Sequence, residues 1–291
     1  MLVKRKQFPV EKKYNLKWNK LLNRYLKNGR RISLELLEYL TEDLDLENKL
    51  ILDAALGMGR ATRHLAEEAR NCGEDCRIIA VDRDISAEHS RKIREILGVQ
   101  NDNVELKEAD IFSLDFLEEN TVDIINCHDT IVFLNERPLQ LLGALKEFKR
   151  VLRPAGKLLI ASERPLDPGG DPAAEGEWKR IKLMEAAYSL AGEKWADFIQ
   201  PEELELALDL LGFDVYDQRI FPGEKNEDSF KLPLLESQEL IEEKIKELSW
   251  SHLGLALEKE MEELRREADE AGYLKAPDKF VLKAELTLNN R

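Results

Sequence analysis

Residues 50–62 read Leu50-Ile-Leu-Asp-Ala-Ala-Leu-Gly-Met-Gly-Arg-Ala-Thr62. The stretch opens with an apolar run that only Asp53 interrupts, and two glycines follow at Gly57 and Gly59. Glycine lets the backbone pass close to a ligand, and the start of the following helix offers N–H groups that have no partner within the helix. The stretch therefore predicts a buried strand, a glycine turn and a helix, in that order.

The same alternation continues outward from this stretch. Short apolar runs predict strands, and amphipathic segments with helical spacing predict the helices between them. Short apolar strands that alternate with amphipathic helices imply a parallel sheet covered on both faces. After the first strand, over 50–55, the predicted strands are 77–81, 104–109, 122–127, 157–161, 213–221 and 280–288.

Composition excludes two broad classes of protein. The 291 residues are 43% hydrophobic and 35% charged, which is typical neither of a disordered polyelectrolyte nor of a membrane-embedded chain. No apolar stretch approaches the roughly 20 residues that a membrane-spanning helix requires. The chain has three cysteines, and Cys72 and Cys76 have no second pair with which to complete a zinc site, so we expect reduced thiols, no metal and a cytoplasmic location.

Polar residues follow several of the predicted strands. In an open α/β sheet, ligands bind beyond the carboxyl ends of the strands, where the strand order reverses. Asp82 lies 23 residues beyond Gly59, which suits an acid that accepts hydrogen bonds from ribose hydroxyls. Asp110 could meet an adenine amine while Ile111 packs on the ring, and residues 126–129 (Asn-Cys-His-Asp) follow the fourth strand. Together these positions predict a site for a nucleoside.

The chain resembles the class I S-adenosylmethionine-dependent methyltransferases. The resemblance covers about residues 50–221 and the final strand. It implies a Rossmann-like, doubly wound, mostly parallel sheet of seven strands whose last strand is antiparallel. N-terminal helices and a helical insertion before the last strand complete this expectation. The segments that carry the resemblance are Ile51-Leu-Asp-Ala-Ala-Leu-Gly-Met-Gly59, Ile79-Ala-Val-Asp82, Ala109-Asp-Ile111, Val122-Asp-Ile-Ile-Asn126 and Glu147-Phe-Lys-Arg-Val-Leu-Arg-Pro-Ala-Gly-Lys-Leu-Leu-Ile160.

The resemblance also implies S-adenosylmethionine as the cofactor and assigns residues to it. Gly57 and Gly59 would line its methionine part, with Asp53 buried beneath the loop, and Asp82 would hold its ribose. Ala55 stands where the family has its first loop glycine, and we expect a negative φ there and at Ala155. The other implied cofactor-binding residues are Arg83 along the adenine, Asp110 and Ile111 in the adenine pocket, and Asn126 and Cys127 beside the sulfonium.

Three residues are candidate bases for the removal of a proton from the methyl acceptor. His128 and Asp129 follow the fourth strand, next to the implied methyl group, and Glu163 follows the fifth. Structural roles compete with each of these assignments. His128 could cap the strand end or pack under a lid, Asp129 could begin the next helix, and Glu163 could pair with Arg164.

The net charge of −14 is distributed unevenly along the chain. Residues 1–31 carry eleven lysines and arginines against one acid, which makes this segment +10 and the remainder −24. Basic residues interleaved with Tyr14, Trp18 and Tyr25 could bind RNA, or the same amphipathic helix could cover the cofactor cleft. We therefore expect a small-molecule acceptor, with an RNA or tRNA acceptor bound through residues 1–31 as the alternative.

The domain prediction is a basic helical arm over 1–49 and a methyltransferase domain over 50–291. Within that domain, residues 222–278 form an insertion that contains two charged amphipathic helices, 237–249 and 255–271. These helices could form a homodimer contact or a substrate cover. A non-catalytic assembly protein remains a further alternative, whereas a nicotinamide dehydrogenase is disfavoured because Thr62 replaces the third glycine of its motif.

Overall fold

The computed structural model of the chain describes residues 34–57, 59–72, 75–98, 103–134, 139–223, 225–226, 237–244, 251–272 and 274–287. The helices are α1 Leu34–Thr41, α2 Arg60–Cys72, α3 Ala87–Leu97, α4 Gln140–Val151, α5 Pro172–Leu190, α6 Pro201–Leu210, α7 over 237–244 and α8 Ser251–Ala271. The strands are β1 Leu50–Ala54, β2 Arg77–Asp82, β3 Val104–Glu108, β4 Val122–His128, β5 Leu152–Glu163, β6 Phe213–Phe221, β7 Lys225–Asn226, β8 Leu274–Lys275 and β9 Lys279–Leu286. A 3-10 turn, Ile131–Phe133, follows β4.

Seven of the strands form one sheet in the order β3-β2-β1-β4-β5-β9-β6. The five strands from β3 to β5 pair in parallel, and β9 pairs antiparallel with both β5 and β6. The predicted mostly parallel seven-stranded sheet with an antiparallel last strand is therefore confirmed. The strand order reverses between β1 and β4, so the crevice expected to bind a ligand opens beyond the carboxyl ends of these two strands.

The central strands carry buried apolar residues on both faces because helices cover both sides of the sheet. Alternate residues of β1 enter different cores: Leu52 and Ala54 join one buried cluster, and Ile51 joins the other. Phe148 of α4 is completely buried in the first cluster, and Leu65 of α2 lies in the second. The alternation follows from the twofold period of a strand, and it fixes the register of the sheet.

Local signals explain where several elements begin. The side chain of Asp171 accepts a hydrogen bond from the Ala173 N–H, and Pro172 occupies the first turn, so α5 begins at residue 172. Ala55 has no positive φ, as expected, whereas the expectation for Ala155 is wrong, since its φ is 61°. Ala155 lies within β5, between Leu152 and Lys157, where the pairing with β4 shifts register, and such an irregularity accommodates a left-handed residue.

The short helix α1 is attached to the sheet by a buried lysine. The Lys283 side chain is fully buried on β9, and its Nζ lies 3.5–3.7 Å from carboxylates of Glu42, Asp43 and Asp217. The same Nζ lies 4.1 Å from the ring centroid of Tyr39. In the described part of the chain these three acids form the one group whose oxygens converge closely enough for a metal ion, and the lysine ammonium supplies the positive charge there.

The insertion between β6 and β9 packs against α5 of the same chain. Met261, Leu264 and Ala268 on one face of α8 are buried with Met184 of α5 and Ile241 of α7 in a third apolar cluster. One face of α8 is therefore apolar, as predicted for an amphipathic helix over residues 255–271. We call this unit, made of α5, α7, α8, β7 and β8, the cap. The predicted homodimer through 222–278 stays a prediction.

The cap leaves the sheet at the edge where the parallel strands end. Glu163, Lys279 and Phe221 are neighbours across the last three strands, β5, β9 and β6. The chain therefore leaves for α5 after Glu163, leaves for the insertion after Phe221 and returns at Lys279, all at the same edge. The described helices include none that is long and apolar enough for a membrane crossing. The basic segment 1–31 lies outside the described residues.

Candidate active site

The carboxyl edge of the sheet gathers the predicted site residues. Parallel pairing sets the ends of β1, β2, β3, β4 and β5 side by side, so residues far apart in sequence meet there. The first residue of the antiparallel strand β9, Lys279, joins them because it lies opposite Glu163. The predicted site residues that lie along this edge are Asp53, Ala55, Gly57, Gly59, Asp82, Arg83, Asp110, Ile111, Asn126, Cys127, His128, Asp129 and Glu163.

The glycine loop after β1 is tied to the end of β2. Gly57 and Gly59 adopt φ angles of 50° and 73°, which side chains other than glycine rarely adopt. The Gly57 N–H donates a 3.0 Å hydrogen bond to the Asp82 carboxylate, and the Gly57 carbonyl lies 2.8 Å from Nε2 of His89. A β-carbon built on Gly57 would meet no atom of the described residues within 4 Å, so among these residues the loop borders open space beside Asp82.

Beneath the loop, Asp53 links the first helix to the fourth strand. Its carboxylate accepts hydrogen bonds from the Thr62 hydroxyl of α2 and from the Asn126 side-chain amide of β4, the latter at 2.6 Å. Asp53 is 1% exposed, and this burial raises its pKa although both hydrogen bonds act in the opposite direction. The arrangement holds the loop that contains Gly57 and Gly59 between α2 and the sheet.

The residues predicted around an adenine divide into buried and exposed positions. Ile111 is buried in one of the two sheet cores, whereas Asp110 and Arg83 are exposed. The Asp110 carboxylate accepts a 3.1 Å hydrogen bond from the Phe112 N–H, which shapes the turn after β3. The apolar Ile111 and the carboxylate of Asp110 are thus adjacent in the chain and lie at the same edge of the sheet.

A histidine, an acid and a lysine meet at the end of β4. Oδ2 of Asp129 accepts a hydrogen bond from Nζ of Lys279 and lies 3.5 Å from Nδ1 of His128. Nε2 of His128 is buried and has no hydrogen-bond partner among the described residues. Burial lowers the pKa of His128, the positive charges of Lys279 and Arg60 lower it further, and the Asp129 carboxylate raises it. His128 is therefore neutral at physiological pH and retains a lone pair.

The other candidates at this edge are less suited to act as bases. Asp129 is engaged by Lys279, and the 3-10 turn that follows has Thr130 rather than Asp129 at its N-cap. Glu163 is half-buried and lies opposite Lys279 in the ladder between β5 and β9. Cys127 is completely buried, and this burial raises the pKa of its thiol, so it is an apolar strand residue rather than a nucleophile.

The sequence did not predict two basic residues of the site, Arg60 and Lys279. Arg60 follows Gly59 directly, and its charge acts on His128 across the strand order reversal. Lys279 is the first residue of β9, 150 residues after Asp129. Its position just before the last apolar strand was the available signal, but its partner depends on the antiparallel pairing of β9 with β5.

The cap is joined to this edge through residues 191–200. Trp195 packs against the apolar cluster of the cap, and its ring centroid lies 5.8 Å from the Arg180 guanidinium. Two residues later, the Asp197 N–H donates a 2.8 Å hydrogen bond to the carbonyl of Val132, in the 3-10 turn that follows His128 and Asp129. The segment that follows α5 therefore connects the cap to the turn beside the candidate base.

Comparison with known proteins agrees with this architecture. Residues 51–156 match a family model described as a methyltransferase domain. No curated protein matches the chain in sequence.

Three solved structures illustrate the likeness in fold. The (4+2)-cyclase SpnF is 16% identical, with a TM-score of 0.56 and 96% of each chain covered. A SAM-dependent methyltransferase from Archaeoglobus fulgidus is 17% identical, with a TM-score of 0.50 and coverage of 94% of this chain and 99% of that one. Geranyl diphosphate methyltransferase in complex with SAM is 14% identical, with a TM-score of 0.50 and coverage of 96% and 93%. At these identities the likeness concerns the fold alone.

Proposed function

Because the chain carries a class I S-adenosylmethionine-dependent methyltransferase domain, we propose that it transfers the donor's methyl group to a small-molecule acceptor. The observation that carries the proposal is the position of the cap. Both of its chain segments leave the sheet at the carboxyl edge, and residues 191–200 connect its apolar cluster to the turn after His128. A cap of this kind encloses a small acceptor and excludes water from the reaction.

The residues at the glycine loop fit the donor. The open space beside Gly57 leaves room for a ligand to approach the backbone, and the half-exposed Asp82 carboxylate has oxygens suited to ribose hydroxyls. Oδ1 of Asn126 is a buried acceptor without a hydrogen-bond partner in the described part of the chain. We assign Gly57, Gly59 and Asp82 to the donor, with Asp110 and Ile111 next to its adenine.

When bound, S-adenosylmethionine supplies an electrophilic methyl group on a positively charged sulfur. The chain must then align the acceptor and, where the attacking atom carries a proton, remove it. We assign the removal of the proton to His128, since burial keeps it neutral and its Nε2 has no partner among the described side chains. Asp129 orients the ring from the Nδ1 side.

The geranyl diphosphate methyltransferase that shares the fold acts, by its name, on a small molecule. SpnF is named as a cyclase, so the fold also accommodates other chemistry. The proposal for this chain therefore depends on the cap and on the polar residues of the edge. The RNA alternative depends on residues 1–31, which lie outside the described residues.

Transfer of radiolabel tests the acceptor class. The full chain is incubated with S-adenosylmethionine labelled in its methyl group and with separate small-molecule and RNA fractions. We expect labelled product in the small-molecule fraction, and much less of it with the Asp82→Ala variant at limiting donor concentration, since this variant loses the ribose ligand. Label that enters RNA alone would overturn the small-molecule proposal, and salt-sensitive RNA binding that is lost on deletion of residues 1–31 would then support the alternative.

A further inference from the structure

Lys279 occupies a position that the methyltransferase fold by itself does not explain. It is the first residue of β9 and lies opposite Glu163 at the carboxyl edge. Its side chain is 22% exposed, and its Nζ donates to Oδ2 of Asp129. The same Oδ2 lies 3.5 Å from Nδ1 of His128, whose side chain is 6% exposed. One carboxylate oxygen thus faces both a lysine and an imidazole.

The lysine acts on the histidine through the carboxylate that lies between them. A lysine beside a carboxylate favours the ionised form of the acid. An ionised carboxylate at Nδ1 favours the tautomer that carries its proton on Nδ1, which leaves the lone pair on Nε2. Nε2 is the atom of His128 that is buried without a hydrogen-bond partner in the described ranges. The geometry therefore aims the free lone pair away from Asp129.

We propose that Lys279 is a positioning residue that, through Asp129, holds His128 with its proton on Nδ1 and with Nε2 ready to accept a proton from the methyl acceptor. The inference rests on the proposed methyl transfer and narrows it to acceptors whose attacking atom carries a proton, such as a hydroxyl, a thiol or a protonated amine. In the reaction, the acceptor atom forms the bond to the methyl carbon and gives its proton to Nε2 of His128. The electron pair of the broken carbon–sulfur bond stays on the sulfur, which becomes a neutral thioether.

The direction of the Lys279 effect can be derived from the groups that face His128. Asp129, the residue directly after β4, favours the imidazolium, whereas Lys279 on β9 and Arg60 on α2 both disfavour it. Loss of the lysine removes a positive charge that repels the imidazolium and that partly offsets the Asp129 carboxylate, so both changes raise the pKa of His128. Loss of the Asp129 charge has the opposite effect, since Lys279 and Arg60 then act alone.

Proton titration of the histidines tests the proposal without any acceptor or donor. The full chain contains four histidines, so a sample with ¹³C-labelled histidine gives a small set of NMR signals, and His128→Gln identifies the one of interest. We expect Lys279→Met to raise the titration midpoint of His128 by about one pH unit, which is tenfold in proton affinity. Lys279→Arg should keep the wild-type midpoint because it keeps the charge.

Matched variants separate this effect from a general loss of structure. Lys275→Met removes a lysine of the cap strand β8 and should leave the His128 midpoint unchanged. Asp129→Asn should lower the His128 midpoint, whereas Lys279→Met raises it. Unfolding would move the midpoint in the same direction in both variants, so it cannot explain shifts of opposite sign. An unchanged midpoint in Lys279→Met, or a Lys279→Arg variant that behaves like Lys279→Met, would overturn the positioning role even if methyl transfer itself is established.

The acceptor class has its own test. The labelled product of the transfer experiment is analysed for the atom that bears the new methyl group. We expect an oxygen, sulfur or nitrogen that carried a proton in the acceptor. A product methylated on a thioether would contradict the inference, because that sulfur carries no proton and needs no base, while leaving the proposed methyl transfer intact.

Discussion

At the scale of single residues, Asp82 connects the glycine loop to the expected ribose site. Its carboxylate accepts the Gly57 N–H at 3.0 Å and remains half-exposed. Asp82→Ala should weaken S-adenosylmethionine binding by about 10- to 100-fold, since hydrogen bonds to a charged group contribute about 1.5–3 kcal/mol. Isothermal titration calorimetry measures the dissociation constant, and Asp84→Ala removes the same charge two residues away as a control. Equal affinity in both variants would exclude the ribose role.

Asp53 makes a prediction about pH. Burial raises its pKa in the folded chain above the value in the unfolded chain. The folded chain therefore binds this proton more tightly, and the contribution of Asp53 to stability falls as pH rises toward the folded pKa. Asn at this position can retain bonds to Thr62 and Asn126 without the charge. The unfolding free energy of Asp53→Asn relative to wild type should thus increase as the pH rises above about 4, the ordinary pKa of an aspartate in the unfolded chain.

Urea unfolding at several pH values measures this difference. Asp45→Asn is a suitable control because it makes the same chemical change at a side chain that is 77% exposed. A difference between Asp53→Asn and wild type that stays constant or decreases with rising pH would contradict the raised pKa.

The residues of the glycine loop and of the β2 end could be predicted because they are adjacent in sequence to the strands that position them. Gly57 and Asp82 followed from the alternation of strand and helix and from their spacing, whereas the place of Asp53 beneath the loop followed from the resemblance to the family. Lys279 could not be predicted, because its contact with Asp129 depends on which strand lies beside β5. The choice of His128 over Asp129 as the base depends on burial and on that same lysine, and neither is visible in the sequence.

At the scale of elements, periodicity predicted the strands and the apolar face of α8 but not the docking of α1. The burial of Lys283 contradicts the usual exposure of lysine, and it follows from the pairing of β9 between β5 and β6. Its ammonium is stabilised there by three carboxylates and by the ring of Tyr39. Only the tertiary structure brings α1 and β6 together around this strand.

The contributions of the charge and of the volume of the Lys283 side chain to the unfolding free energy can be separated. Its acidic partners are 36–67% exposed, so they can regain water when the ammonium is removed. Lys283→Met should therefore change the unfolding free energy by less than about 1.5 kcal/mol, because the methionine fills the same space. Lys283→Ala should cost about 2–5 kcal/mol through the cavity that it leaves. Similar losses in both variants, measured by urea unfolding, would show that charge dominates.

At the scale of the whole molecule, two cores flank the sheet and a third lies in the cap. The donor residues are attached to the sheet, whereas the expected acceptor cover is built from α5 and the insertion. Gly223, at the neck of the insertion, has no room for a side chain, because a β-carbon there would lie 1.8 Å from the carbonyl oxygen of Ala276. Closely packed backbone thus joins the cap to the sheet. Substitutions in the apolar cluster of the cap can therefore weaken the cap without changing this junction.

This division predicts that the cap core can be weakened without loss of donor binding. Leu264 of α8 is 1% exposed in the cap cluster, and Leu145 of α4 is fully buried in a sheet core. Leu264→Ala should destabilise the cap by about 2–5 kcal/mol, with faster hydrogen exchange in α5 and α8 and less methyl transfer. The dissociation constant of S-adenosylmethionine should change less than about twofold.

Leu145→Ala is the matched comparison, since it removes the same atoms from the core beneath the donor site. It should lower the stability of the sheet and weaken donor binding, while exchange in α8 changes less than in Leu264→Ala. Hydrogen-exchange mass spectrometry and calorimetry on both variants measure the two effects side by side. If Leu264→Ala weakens donor binding as much as Leu145→Ala does, the cap and the sheet form one cooperative unit, and the assignment of acceptor and donor to separate cores is wrong.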